Sequence, residues 1–156
     1  MSEGRPDRPE LAGVPAGMGA DDAELLRLAR ELLERRYRAG RHEVTSAMRL
    51  RDGSIVTGLH VEASASRASV CAEAVAIGAA VQAIGGDAGG IDAVVSILRR
   101  PGGSWHLIEP CGVCAELLAE YAPAARVWVA VDDGIAPVAA VDLLPFTRRR
   151  ATRLDG

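Results

Sequence analysis

The chain has few aromatic residues, no lysine, few cysteines and no long apolar run. Aromatics make up 3% of its 156 residues: two Trp, two Tyr and one Phe. A base-stacking nucleic-acid platform needs exposed aromatics, so that class is disfavoured. Every one of the 18 basic residues is arginine, and the net charge is −3. We read the missing lysine, together with the Ala and Gly richness, as the coding bias of a GC-rich genome rather than as chemistry. A mildly acidic chain, pI about 5.6, with no basic stripe is a poor candidate for nonspecific DNA binding. No stretch approaches the roughly 18 consecutive apolar residues of a membrane span. No signal peptide is visible at the polar, Pro/Gly-rich start, and a cytoplasmic location is expected. Three cysteines are an odd number and do not form a disulfide framework.

What is present is ordinary for a globular chain: 49% hydrophobic and 25% charged residues. The length suits one domain with a core of Ala, Val, Ile and Leu. Residues 1–20 carry Pro, Gly and charge without periodicity and read as a disordered tail. The domain is expected over 21–145, and 146–156, with "RRRATR", reads as a solvated basic end. From "DDAELLRLARELLERRYRAG", Leu25, Leu28, Ala29, Leu32, Leu33 and Tyr37 fall on one stripe of a helix, with Asp21 or Asp22 as its cap and Gly40 at its end. "EVTSAMRL", "RDGS" and "IVTGLHVE" read as a strand, a turn and a second strand. "VCAEAVAIGAAVQAIGG" is apolar almost all round, as a buried helix is. "GGIDAVVSILRR" reads as a strand, "CGVCAELLAEYA" as a short helix, and "ARVWVAVDD" and "GIAPVAAVDLL" as strands. The order α-β-β-α-β-α-β-β predicts an α/β fold, one sheet with helices packed on it.

All the cysteines lie in two short stretches, "SVCAEAVAIG" and "EPCGVCAELL". Cys111 and Cys114 are one helical turn apart, so both sulfurs can face one ion. Pro110 favours a first helical turn, and helix N-termini stabilise thiolates. Cys71 opens the other helix by the same logic. Three thiolates with a fourth position free describe a catalytic zinc site. Glu73, two residues from a ligand, can reach that fourth position as a proton carrier without binding the metal. A lone CxxC is weak evidence, and a lone buried cysteine is usually a small hydrophobe. The joint pattern is far more specific.

That pattern resembles the cytidine deaminase family, whose zinc signature is [HC]-x-E followed by P-C-x-x-C. "CAE" at 71–73 and "PCGVC" at 110–114 match it, and the similarity runs from about 22 to 142. "SAMRLRDGSIVTG" and "AIGAAVQAIGG" are also similar to blasticidin-S deaminases. The resemblance implies an αβα sandwich with a mixed five-stranded sheet. It implies a homotetramer with one zinc per subunit, and sites built partly from neighbouring subunits. Cys71, Cys111 and Cys114 would hold the zinc. Glu73 would carry protons while water activated at the metal attacks C4 of cytosine, releasing ammonia and leaving uracil. The backbone of Ala72 resembles a hydrogen-bond partner for the base. The expected partner is a small-molecule nucleoside, with no nucleic acid and no membrane, as in pyrimidine metabolism.

The departures from the family are specific. Asn-x-Glu, which holds the ribose in the family, is here His60-Val61-Glu62. Its next asparagine is Ala63, and a phenylalanine flanking the base aligns with His42. The Ser or Thr before Pro-Cys is Glu109, either a solvated carboxylate or one facing a cationic substrate. Three thiolates on Zn²⁺ leave a net charge of −1, which the family often offsets with arginines. Those positions are Ala74 and Ala115 here, leaving helix N-termini or Arg67 to compensate. The substrate is therefore open among cytidine, deoxycytidine, a modified nucleoside, blasticidin S or a biosynthetic intermediate. A non-catalytic zinc-stabilised subunit is the competing class; retention of Glu73 argues against it. A CxxC redox protein is disfavoured by the third cysteine.

Overall fold

The computed structural model describes residues 8–85, 90–132 and 134–146. Strands β1 (Val44–Leu50) and β2 (Ile55–Leu59) form the expected antiparallel hairpin, in register from Thr45↔Leu59 to Arg49↔Ile55. Asp52 shapes the turn by accepting from the Ser54 N–H at 2.9 Å and the Ser54 hydroxyl at 2.6 Å. Gly53 takes φ +87° there, a conformation open to glycine at no steric cost. The second strand is shorter than its sequence pattern. It ends at Leu59, and Val61 makes only an isolated bridge to Val70.

Helix α1 (Ala20–Arg36) precedes the hairpin, and α2 (Ala72–Ile84) follows it. Then come β3 (Ile91–Arg99), β4 (Trp105–Leu107), α3 (Gly112–Tyr121), β5 (Arg126–Val131) and β6 (Gly134–Ala139). The strands order β2-β1-β3-β5-β6, with β4 paired to β3. β3 runs antiparallel to β1 and β4 and parallel to β5, so the sheet is mixed as expected. Among the described residues it has six strands rather than five. The extra one, β4, is three residues long, too short to show a period-two pattern in sequence.

Alternation along the central strands sends side chains to two cores. Met48, Leu50 and Val94 meet Ala76, Ile77 and Ala80 of α2 and Leu118 of α3. Ala47, Ala93, Val95 and Ile97 meet Leu25, Leu26, Ala29 and Leu33 of α1 on the opposite face. The result is an αβα sandwich. The α1 stripe agrees with the sequence pattern except that Leu28, Leu32 and Tyr37 are only partly buried. Helix α2 is buried along one side only, and Val75 is exposed on the other.

Neither aspartate caps α1. Its N-cap is Gly19, with no side-chain cap bond. Asp22 is instead buried against the sheet, where it accepts from Arg126 Nε at 2.7 Å, an Arg126 terminal nitrogen at 2.9 Å and Trp128 Nε1 at 2.7 Å. A charged acceptor with three donors serves the fold better here than a cap would. The described part of the expected N-terminal tail is not loose either. Leu11 and Met18 are buried, and the Leu11 N–H donates to the Trp105 carbonyl at 2.7 Å. Arg30 stacks on Trp105 at 4.8 Å, and Arg99 stacks on Tyr37 at 4.5 Å. These stacks tie α1 to β3 and β4, the strand whose Trp105 carbonyl holds Leu11. The basic C-terminal stretch from 147 onward lies outside the described residues. Among the described residues, no helix is long and apolar enough to cross a membrane.

Hydrogen bonds from Arg126 hold the Asp22 carboxyl below its ordinary pKa against the opposing effect of burial, with Trp128 assisting. A depressed folded-state pKa means stability that is present above the unfolded value and lost as pH falls through the folded one. Asp22→Asn is expected to cost about 2–3 kcal/mol at neutral pH. In urea unfolding, its gap to wild type should narrow as the pH drops below about 4. A gap independent of pH would remove the ionic part of this account.

Candidate metal centre

Both ligand stretches end in the same device. Cys71 is the N-cap of α2, and Cys111 is the N-cap of α3, each in extended backbone. Pro110 therefore sits just before the cap rather than in the first helical turn. Cys114 follows inside α3, fully buried, while Cys111 is exposed. The Sγ atoms of Cys71 and Cys111 are 3.6 Å apart, and all three sulfurs lie within 4.8 Å of one another. Tetrahedral zinc with bonds of about 2.3 Å places its sulfurs about 3.8 Å apart, so the donor set fits that ion.

The approach of α2 to the hairpin depends on Gly58. A Cβ there would stand 2.0 Å from the Ala72 carbonyl oxygen and 2.7 Å from the Ala76 nitrogen. Only a hydrogen fits, so β2 lies directly against the first turn of α2. That contact sets Cys71, Ala72 and Glu73 in place. Ala72 itself is buried in this first turn, where backbone N–H groups have no intrahelical acceptor.

Glu73 is 3% exposed. Burial raises its pKa above the ordinary carboxylate range, and its own backbone N–H, the Ser96 hydroxyl and the Cys114 thiol only partly offset this. Ser96 pairs with Ser46 across β1 and β3, Oγ to Oγ 3.0 Å, making a small polar floor under the carboxylate. The thiols ionise unequally. Burial resists ionisation of Cys111, but N–H groups of Cys114 and Val113 and the neighbouring thiols outweigh it, so its pKa falls. Burial raises Cys71 and Cys114, and their anionic neighbours add to the effect. A divalent cation is what allows all three sulfurs to be anionic together. The N-terminus of α3 thus supplies stabilisation where Ala74 and Ala115 supply none. Arg67 is exposed in the 3₁₀ turn Ser66–Ala68, without an ion pair among the described residues.

The substrate-side residues expected from the sequence divide into two groups. His60, close enough to act electrostatically on Glu73, is bonded to the retained Glu62: His60 Nε2 is 2.9 Å from Glu62 Oε2, and the Ser69 hydroxyl donates to Glu62 Oε1 at 2.8 Å. His42 stands behind them, its Nδ1–H donating to the His60 carbonyl at 2.9 Å. Glu109 is engaged by Arg8, whose Nε lies 3.2 Å and terminal nitrogen 2.5 Å from the carboxylate oxygens. It is neither simply solvated nor free to face a cation. Ser69, the Ser46–Ser96 pair and Arg8 were invisible to sequence reasoning. A serine has no periodic or motif signal, and Arg8 acts across a separation of 101 residues.

Residues 20–131 match the family model described as the cytidine and deoxycytidylate deaminase zinc-binding region. A blasticidin-S deaminase of Bacillus cereus is 34% identical over 134 residues, covering 83% of this chain and 93% of the relative. A cytidine deaminase of Halalkalibacterium halodurans is 33% identical over 84 residues, 54% of this chain and 58% of the relative. The crystal structure of a cytidine deaminase from Burkholderia pseudomallei superposes with a TM-score of 0.66 at 25% identity, covering 84% of this chain and all of that one.

Gly58→Ala is expected to push α2 off the hairpin and separate Cys71 from the CxxC pair. In competition with a chromophoric chelator, the variant should hold zinc at least about tenfold more weakly while the far-ultraviolet spectrum stays folded. Unchanged affinity would show that the close contact does not set the ligand geometry.

Proposed function

The chain belongs to the cytidine and deoxycytidylate deaminase zinc-binding family, and on that premise we propose that it removes the 4-amino group of a cytosine nucleoside, with Glu73 as the proton carrier. The observation that carries this reading is the buried Glu73 carboxylate held beside the three-cysteine cluster. Zinc on Cys71, Cys111 and Cys114 supplies the Lewis acidity that makes water a nucleophile near neutral pH. Glu73 takes a proton from the attacking water, gives one to the ring nitrogen, and passes another to the departing amine. Water and the amidine carbon become a carbonyl, and ammonia leaves. A raised pKa suits a group that must both accept and return a proton. In this reading the first-turn N–H of Ala72, which has no intrahelical acceptor, serves as the hydrogen-bond donor to the base. The Ser96 hydroxyl orients the carboxylate.

A second reading concerns the substrate rather than the reaction. The near full-length match to a blasticidin-S deaminase favours a cytosine carried on an unusual sugar. His60, Ala63 and Glu109 stand at positions where the family resemblance implies other residues, which supports the same direction. A purely structural zinc subunit would have no use for the buried carboxylate. We further propose a cytoplasmic homotetramer. Val61, Val70, Val75 and Val113, from 37% to 70% exposed, flank the site residues and are suited to burial against other subunits. A sedimentation mass four times the 16.3 kDa chain would agree, and a monomer at working concentration would refute it.

Ammonia release and the ultraviolet shift should be followed with cytidine, deoxycytidine and blasticidin S. Turnover of at least one is expected. Glu73→Ala should lower kcat by about 10²–10⁴ or more while zinc content is kept. Turnover that survives the substitution would remove Glu73 from the mechanism.

A further inference from the structure

The three sulfurs of the metal centre are held in place by different means. Cys114 is fully buried inside α3. Cys71 is set by the close contact of Gly58 with the first turn of α2. Cys111 is exposed and, as the N-cap, stands outside the regular turns of α3. Packing therefore does least for this ligand. The chain just before it is stiff. Pro110 fixes its own φ and confines Glu109 to extended backbone, so a shift at Glu109 is carried to Cys111. The Ile108 N–H donates to the Ser96 carbonyl at 3.0 Å, and the Cys111 carbonyl accepts from the Ala115 N–H at 2.8 Å. Between these two anchors Arg8 closes on the Glu109 carboxylate, Nε to Oε2 at 3.2 Å and a terminal nitrogen to Oε1 at 2.5 Å. A two-pronged guanidinium contact fixes direction as well as distance.

Arg8 is itself fastened. The carbonyl of the next residue, Pro9, accepts from Nδ1–H of the buried His106 at 3.2 Å, since a carbonyl can only accept. The Ser104 hydroxyl lies 3.0 Å from His106 Nε2 and serves the other side of the ring. Leu11 is buried among the α1-side core residues, and its N–H donates to the Trp105 carbonyl at 2.7 Å. Residues 11, 9 and 8 thus meet residues 105, 106 and 109 in turn, running back along β4 to the rim of the metal centre. Residues 8–18 precede the region 20–131 that matches the family model. We propose that this segment is a positioning arm for the metal centre, and that Arg8, acting through Glu109, holds Cys111 in ligand geometry. This rests on the three-cysteine zinc reading and adds a residue to it. A half-exposed ion pair contributes little to stability, so the effect falls on the metal rather than on the fold.

Two measurements on the full chain test this without turnover. Zinc affinity is read by competition with a chromophoric chelator, and ligand geometry by the sulfur-to-metal absorption bands of the cobalt(II)-loaded protein. Arg8→Ala is expected to weaken zinc about tenfold and to shift the cobalt bands, while the far- and near-ultraviolet circular dichroism of the zinc-loaded chain stays that of wild type. Glu109→Gln should do the same. The double variant should be no weaker than either single one, because both remove one contact. Arg27→Ala, which removes the equally short pair with Glu31 within α1, is the control and should leave zinc and cobalt unchanged. Wild-type affinity and bands in Arg8→Ala would overturn the proposal and leave the zinc site intact. Additive losses in the double variant would also overturn it, since Arg8 would then not act through Glu109. So would an equal loss in Arg27→Ala, or a loss in Arg8→Ala accompanied by altered circular dichroism, because the arm would then be merely structural. Wild type that holds no zinc would defeat the zinc reading and this proposal with it.

Discussion

Two helices that start on the same side of one sheet bring three sulfurs within 4.8 Å, and most of the molecule serves that convergence. Thiolates repel one another, so the cluster is stable only where something opposes that repulsion. Part of the opposition is built into the chain, as backbone N–H groups at the start of α3 lower the pKa of Cys111. The rest requires a cation. The sheet supplies the frame: the Ser46–Ser96 pair on β1 and β3 lies under Glu73, and Gly58 on β2 admits the first turn of α2. A single methyl group at Gly58 would meet backbone atoms that cannot move without moving Cys71.

The two cores have different duties. The α2 and α3 side is packed from small residues, Ala76, Ala80, Ala122 and Ala125, with Leu118 and Val127 between them. Small residues let both helices sit close to the sheet and to each other, as converging N-termini require. The α1 side carries the larger groups, including Trp128, and closes on the Asp22 cluster and the N-terminal segment. From that side Arg8 reaches Glu109, one residue before the Pro-Cys step. The far layer is therefore linked to the rim of the site through a charge pair, though partly exposed pairs of this kind contribute little to stability alone.

The three-cysteine cluster was legible in sequence because it is local. "CAE" puts one sulfur and a carboxylate, and "PCGVC" two sulfurs, within a turn of a helix start, and helix starts have strong signals. The hairpin was legible for the same reason, through "RDGS" and flanking alternation. What escaped depends on contacts between distant segments. Asp22 looks like a cap and is drawn instead to Arg126 and Trp128, which are more than 100 residues away. β4 is too short to show a period. "HVE" reads as the end of a strand, yet the strand stops at Leu59, and these residues turn to build a hydrogen-bonded cluster with Ser69. Glu109 illustrates the limit well. Its neighbours in sequence say where it is, and only the fold says that Arg8 holds it.

The central claim is an open zinc site made by Cys71, Cys111 and Cys114. X-ray absorption at the zinc edge of the loaded protein tests it most directly. The expected result is one zinc per chain, with three sulfurs at about 2.3 Å and one oxygen or nitrogen at about 2.0–2.1 Å, replaced when a substrate-like ligand is added. A shell of four sulfurs would mean a closed structural site, and two or fewer would mean that the three cysteines do not act together. Either result would contradict the account.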